Sequence, residues 1–221
     1  MLPIYPLSLL PVRVGGVLLS LACLFTLGYV AYRRGAKPLA LALFICAPQV
    51  QFMAINGDYI DVLSALGFVL PPQIGLFFVL AKPQSGAAVA LFWAVEAWRK
   101  GKAREVARVF APVTLAYALQ LVCYSPNMLD ALLTRAPHMV GMGAYHDANI
   151  WPYGVILGIF LLAYAIRKGD IGPAILSSAC FTPYLGFYSW PVALLGLLSC
   201  HPEFILATLF LWIPAWLYHH S

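Results

Sequence analysis

The chain has 221 residues, 62% of them hydrophobic and 10% charged, with a mean hydropathy of +0.85, whereas soluble domains carry about 25% charged residues. No polar half remains for a soluble domain, so residues 1–221 read as a single integral membrane domain, all-α and polytopic. The net charge of +5 lies in short clusters between apolar runs, with no basic stripe interleaved with aromatics, which argues against nucleic acid as a partner and makes the charge a topology signal.

Taken in chain order, Val14 to Tyr32 is the first apolar run, followed by Arg33, Arg34 and Lys37. Met1 to Val12 holds no Lys or Arg and no cleavage site follows the run, so the sequence predicts a retained span rather than a signal peptide. Leu39 to Ile55 is the second run, interrupted by Pro48. Tyr59 to Leu70 and Gln73 to Ala81 are short and are separated by Pro71-Pro72. Ser85 to Trp98 ends in RKGKAREVAR, and Phe110 to Tyr124 leads into a more polar loop from Ser125 to Ile150. Pro152 to Ile166, Ile171 to Tyr184, Pro191 to Ser199 and Phe204 to Tyr218 complete the chain. The expectation is about ten hydrophobic segments, several too short for the roughly 20 helical residues that a straight crossing requires.

Positive-inside counting tests this scheme. If every run crosses, Arg33, Arg34, Lys37, Arg99, Lys100, Lys102, Arg104, Arg108, Arg167 and Lys168 share one side, and only Arg13, Lys82 and Arg135 lie opposite. That bias makes the first side cytoplasmic and predicts a multi-pass protein, in the plasma membrane, with both termini outside. A single kinked helix over 59–81 would reverse the parity. The sequence therefore predicts two short segments hinged at Pro71-Pro72, either thin crossings or a re-entrant hairpin, buried in protein or lining a cavity. Arg99 to Val109 reads as a cytoplasmic interfacial helix and Asn127 to Leu133 as a short external one. Trp151, Tyr153, Tyr184, Trp190, Trp212 and Trp216 fit interfacial belts. The five cysteines form no CxxC pair and read as small buried apolar residues. No internal repeat, metal-ligand cluster or nucleotide motif stands out.

Candidate chemistry concentrates in NGDYIDVLSALGFVLPPQIGLFFVLAKPQSG, residues 56–86. Asp58 and Asp61 lie three residues apart, on one helical face at the external mouth of a segment. They read either as helix-start carboxylates favoured by the dipole or as a base or cation ligand facing a polar acceptor. Lys82 stands between two apolar runs against the positive-inside rule. It snorkels, or pairs with Asp58 or Asp61, or meets an anionic headgroup or lipid phosphate. His146 and Asp147 sit in the most polar part of the external loop, and read either as ordinary loop residues or as part of the same external cavity. Tyr188, Ser189 and Trp190 follow Pro183 at another external turn, where the aromatics read as belt residues or as a platform for a sugar ring. Glu96 pairs with Arg99 or Lys100 at helical spacing and reads as structural.

Three stretches carry a family resemblance. MLPIYPLSLLPV looks like a proline-punctuated lead-in to a span, NGDYIDVLSALGFVL followed by GLFFVLAKPQSG like a helix pair ending in Lys-Pro, and PYLGFYSWPVALL like a late external turn. Together they resemble the GT-C superfamily of membrane glycosyltransferases, most closely glycosyltransferase family 87, the polyprenyl-phosphate-mannose-dependent type. The usual first-loop catalytic aspartate of that superfamily has no counterpart here, and the N-terminal catalytic-loop region is missing from the pattern. The resemblance implies a GT-C-like hexosyltransferase fold with a polyprenyl-phosphate-linked sugar as donor substrate and no other cofactor. Lys82 would then hold the phosphate, Asp58 or Asp61 would deprotonate the acceptor, and Tyr188 or Trp190 would stack on the sugar. A degenerate relative would keep the groove for lipid. The competing expectations are a non-catalytic accessory subunit of a larger membrane complex, with other membrane subunits and lipid as partners, and a small transporter, suggested by the broken segments.

Overall fold

The computed structural model describes residues 9–56, 58–142, 150–183, 185–186, 189–198, 206 and 208, with the backbone alone for 124–142. The fold is helical throughout, with no strand among the described residues. Helix α1 spans Val12–Arg33 and, at 22 residues, rises about 33 Å, enough to cross a bilayer. Gly35, at φ 90°, turns the chain away; a left-handed backbone of this kind suits a residue without a Cβ. Helices α2 (Pro38–Cys46) and α3 (Pro48–Asn56) are the two halves of the second apolar run, bent by 56° where Pro48 interrupts it.

The two short segments expected around Pro71-Pro72 are present as α4 (Tyr59–Gly67) and α5 (Pro72–Val79). At 9 and 8 residues they rise only about 13 and 12 Å, less than half the hydrocarbon thickness. They pack together as a hairpin. A Cβ on Gly75 would stand 2.6 Å from the Gly67 carbonyl oxygen and 2.8 Å from the Trp93 ring, so glycine permits this approach.

Helix α6 covers Pro83–Met142 but is broken at Gly101 and Lys102, whose backbone angles are non-helical. The chain folds back there. The Tyr117 hydroxyl donates to the Leu80 carbonyl at 3.1 Å across 37 residues, a separation that a straight helix would stretch to about 55 Å. The arms 83–100 and 103–142 therefore form a helical hairpin. This corrects two expectations. The 99–109 segment is not a separate interfacial helix but the turn and adjoining ends of this hairpin. The 125–142 segment is helical through Met142 rather than a polar loop carrying a short helix at 127–133; a continued helix bonds its own backbone groups, which a loop beside lipid cannot.

Helices α7 (Gly154–Lys168) and α8 (Ile171–Cys180) pack tightly. A Cβ on Gly158 would lie 2.9 Å from Cys180 and Phe181 side-chain atoms. Gly169, at φ 68°, ends α7, and Asp170 caps α8 by accepting the Gly172 N–H at 2.9 Å. The short α9 (Trp190–Leu194) runs into a 3-10 turn, Leu195–Leu197, lying against α8.

The core is built from Leu27, Phe44, Met53, Leu76, Trp93, Ile175 and Leu195 on six of these helices and the 3-10 turn. Large apolar side chains also face outward: Val17, Leu21 and Phe25 on α1, Leu115 and Leu119 on the second arm of α6, and Ile156 and Phe160 on α7. In water such surface would be a liability; against acyl chains it is the natural outer face. Val12–Arg33 is long and apolar enough to cross a membrane, as is the stretch Pro83–Cys123, which the break at Gly101 and Lys102 folds into two arms, and the bent α2–α3 pair makes a third if it acts as one span. The chain is thus an all-helical membrane protein. Cys23, Cys46, Cys123 and Cys180 are free thiols; Cys46 and Cys123 are exposed rather than buried.

The basic clusters meet at one end of the bundle. Arg34 after α1 reaches Asp170 at 3.6 Å, and Arg99 donates to the Ile166 carbonyl near the end of α7. Lys82 and the start of α4 lie at the other end.

Candidate functional site

The site at the Lys82 end is assembled from the joints of short helices. Asp61 falls in the first turn of α4 and has no exposed surface. Lys82 follows α5, just before Pro83 opens α6. The reversal is tight because Gly86 lets the first turn of α6 meet the end of α5; a Cβ there would stand 2.3 Å from the Val79 carbonyl oxygen. This brings Lys82 back to Asp61, 21 residues away.

The Asp61 carboxylate is fully engaged. Its Oδ2 takes the Lys82 ammonium in an ion pair and accepts the Ser189 hydroxyl at 3.1 Å. Its Oδ1 accepts from Ser85 Oγ at 3.3 Å. Lys82 Nζ also donates to Ser189 Oγ at 2.9 Å, so the serine hydroxyl receives from the lysine and gives to the aspartate. A charge at this depth is tolerated when it is paired and hydrogen-bonded on both sides. The Lys82 side chain keeps 18% exposure while Asp61 keeps none, so the ammonium lies on the outer side of the pair.

A polar seam supports the site. Thr182 donates to the Gln84 carbonyl at 3.2 Å, and Ser178 Oγ accepts the Ala88 N–H at 3.2 Å, tying α8 to the first turns of α6. Ser177 donates to the Gly158 carbonyl at 2.9 Å and joins α8 to α7. Small hydroxyl residues that bond across apolar helices act as interhelical glue. Ser64, one turn beyond Asp61, is buried with a hydroxyl that has no hydrogen-bond partner.

Asp58 is half-buried at the N-cap position of α4, yet its side chain makes no capping hydrogen bond. Burial, then the neighbouring Asp61 charge, pushes its carboxyl above the ordinary range, and Lys82 draws it part of the way back. Asp58 is therefore the carboxyl with exposure at this mouth, and Asp61 the one held inside. Trp190, half-buried, packs with Ala179, Leu185 and Ala193. His146, Asp147 and Tyr188 lie outside the described residues. No group of three His, Cys, Asp or Glu side chains suited to a metal occurs among the described residues.

Of the residues singled out in the sequence, Asp61, Lys82 and Ser189 come together, and Asp58 stands beside them. Sequence reasoning misses Ser85 and the Ser178–Thr182 seam. Their only signal is the presence of small hydroxyl residues in otherwise apolar helices, AILSSACFT and KPQSG.

No protein-family model, no curated protein and no solved structure matches the chain.

Proposed function

We propose that the chain is a GT-C-like integral membrane protein whose Lys82 end faces outward across the plasma membrane and transfers a hexosyl group from a polyprenyl-phosphate donor. The observation that supports this reading is the convergence of Asp61, Lys82 and Ser189. They come from NGDYID, KPQSG and SWP, which lie in two of the stretches that carry the family resemblance, and they join in one hydrogen-bonded cluster. The gathering of the basic clusters at the opposite end supports the orientation, since basic loops favour the cytoplasm.

In this reading Asp61 is a positioning residue that fixes Lys82 and Ser189. Lys82 presents its charge to the donor phosphate, Trp190 stacks on the sugar, and Asp58 is the base. The acceptor O–H gives its proton to the Asp58 carboxylate. The acceptor oxygen bonds to the anomeric carbon, the bond from that carbon to the phosphate oxygen breaks, and polyprenyl phosphate leaves with the electron pair. A half-buried carboxyl with a raised pKa suits such proton transfer.

A second reading has its own support. Asp61 is sealed, with both oxygens taken, as expected of a structural pair in an accessory subunit. The deciding experiment is a transfer assay in proteoliposomes with radiolabelled polyprenyl-phosphate-mannose and polyprenyl-phosphate-glucose. The enzyme reading predicts transfer that Asp58→Asn lowers at least about 100-fold. No transfer by the wild-type protein, with other membrane subunits co-purifying at fixed stoichiometry, would establish the accessory role instead.

A further inference from the structure

At the basic end, about 460 Å³ of open space lies beneath the tip of the α4–α5 hairpin, within the roughly 300–1,000 Å³ usual for small-ligand sites. Its existence follows from the hairpin's length. Helices that rise only about 13 Å end inside the bilayer, and the loop between them must line protein or a polar cavity. Phe68, Leu70, Pro72 and Gln73 form that ceiling. The wall below them is charged: Arg34 and Lys100 against Glu96, Glu105 and Asp170. Trp98 beside this end is 52% exposed, with Lys102 stacked 5.8 Å from its ring, the signature of the headgroup level.

The balance of charge selects the ligand. Two cations against three carboxylates disfavour a multiply charged anion. Glu96 and Glu105 are each partly neutralised by an arginine on their own helix, at 3.3 and 3.5 Å, pairs that are weak at an exposed surface. Arg34 is held more firmly. Its side chain is 15% exposed and its Nη2 stands 3.6 Å from Asp170. We infer that this cavity binds the zwitterionic headgroup of a phospholipid, with Arg34 and Lys100 on its phosphate and Glu96 and Glu105 on its ammonium. A headgroup of zero net charge, with one phosphate and one ammonium, suits a wall of mixed sign whose guanidinium and ammonium groups pair with phosphate oxygens.

Native mass spectrometry of the purified chain released from nanodiscs of equimolar phosphatidylethanolamine, phosphatidylcholine and phosphatidylglycerol tests this. The zwitterionic lipids should be retained at least about fivefold over phosphatidylglycerol, a selection worth about 1 kcal/mol. Lys100→Gln, at an exposed position, and Arg34→Gln should each reduce total lipid retention. The double variant Glu96→Gln, Glu105→Gln should shift retention toward phosphatidylglycerol, which a merely structural role for these carboxylates would not do. Equal retention of all three lipids, preference for phosphatidylglycerol by the wild-type protein, or unchanged selection in the double variant would overturn the assignment. The test reads only the basic end, so it stands whether or not transfer occurs at the Lys82 end.

Discussion

At the Lys82 end, Asp61 has no exposed surface and its two oxygens are occupied by Lys82, Ser85 and Ser189. At the basic end, Arg34 and Asp170 stand 3.6 Å apart beside an open cavity, with the Asp170 side chain 41% exposed. Both ends bring an acid and a base together near the membrane surface. The first pair is held at the joints of α4, α5, α6 and α9, so removing Lys82 strands Asp61 in a place without water. In the second, Asp170 faces solvent beside the cavity although Arg34 keeps only 15% exposure, so loss of Arg34 is largely made good around Asp170. The same chemistry therefore carries very different energetic weight at the two ends.

Breaking the sealed pair should have the largest effect. Lys82→Met leaves Asp61 buried without its cation and should destabilise the protein by about 3–5 kcal/mol, read by denaturant unfolding in mild detergent. A loss below about 1 kcal/mol would mean that the pair is open to water. The hairpin that builds the site comes next. Gly75→Ala drives a Cβ to within 2.6 Å of the Gly67 carbonyl oxygen, an overpacking that should cost about 1–3 kcal/mol. At Gly16 on α1 an added Cβ would meet nothing within 4 Å, and Gly16→Ala should be neutral or stabilising by up to about 1 kcal/mol. Equal melting shifts for the two alanines would show that the Gly67–Gly75 approach is not tight. At the open end, Asp170→Asn should cost less than Lys82→Met, because the asparagine still caps α8 and the carboxylate it replaces is 41% exposed, although Arg34 is left with 15% exposure.

The smallest expected effect is a pH dependence at Asp58. Its folded pKa is raised, so its contribution to stability is fully present below the ordinary aspartate value of about 3.9 and is lost as pH rises through the raised folded value. Asp58→Asn should flatten the stability profile across that window. A steeper profile in the variant would mean that the carboxyl is better solvated than its burial indicates.

Much of this contrast is visible in the sequence. Pro48 marks the bend between α2 and α3, and Pro71-Pro72 marks the hinge between two helices too short to cross. Lys82 stands out because it breaks the positive-inside pattern. Which aspartate it meets is not visible. Asp58 and Asp61 lie on one helical face, and the choice depends on where the end of α5 returns relative to α4, which Gly67, Gly75 and Gly86 set through close backbone approach. Ser85 is hidden for the same reason, since its partner lies 24 residues away. The hairpin in α6 is obscured by charge. RKGKAREVAR has the composition of a surface helix, and the turn rests on Gly101 together with Lys102 at a positive φ of 53°, a conformation that lysine composition does not advertise.

The central claim is that Asp61 and Lys82 act as one buried unit, and a double-mutant cycle measures it most directly. Asp61→Asn, Lys82→Met and the double variant would be unfolded in the same detergent and compared with the wild-type protein. The account predicts a coupling energy of at least about 2 kcal/mol, the double variant being more stable than the sum of the single losses implies. Additive losses, within about 0.5 kcal/mol, would contradict it and make the two residues independent neighbours.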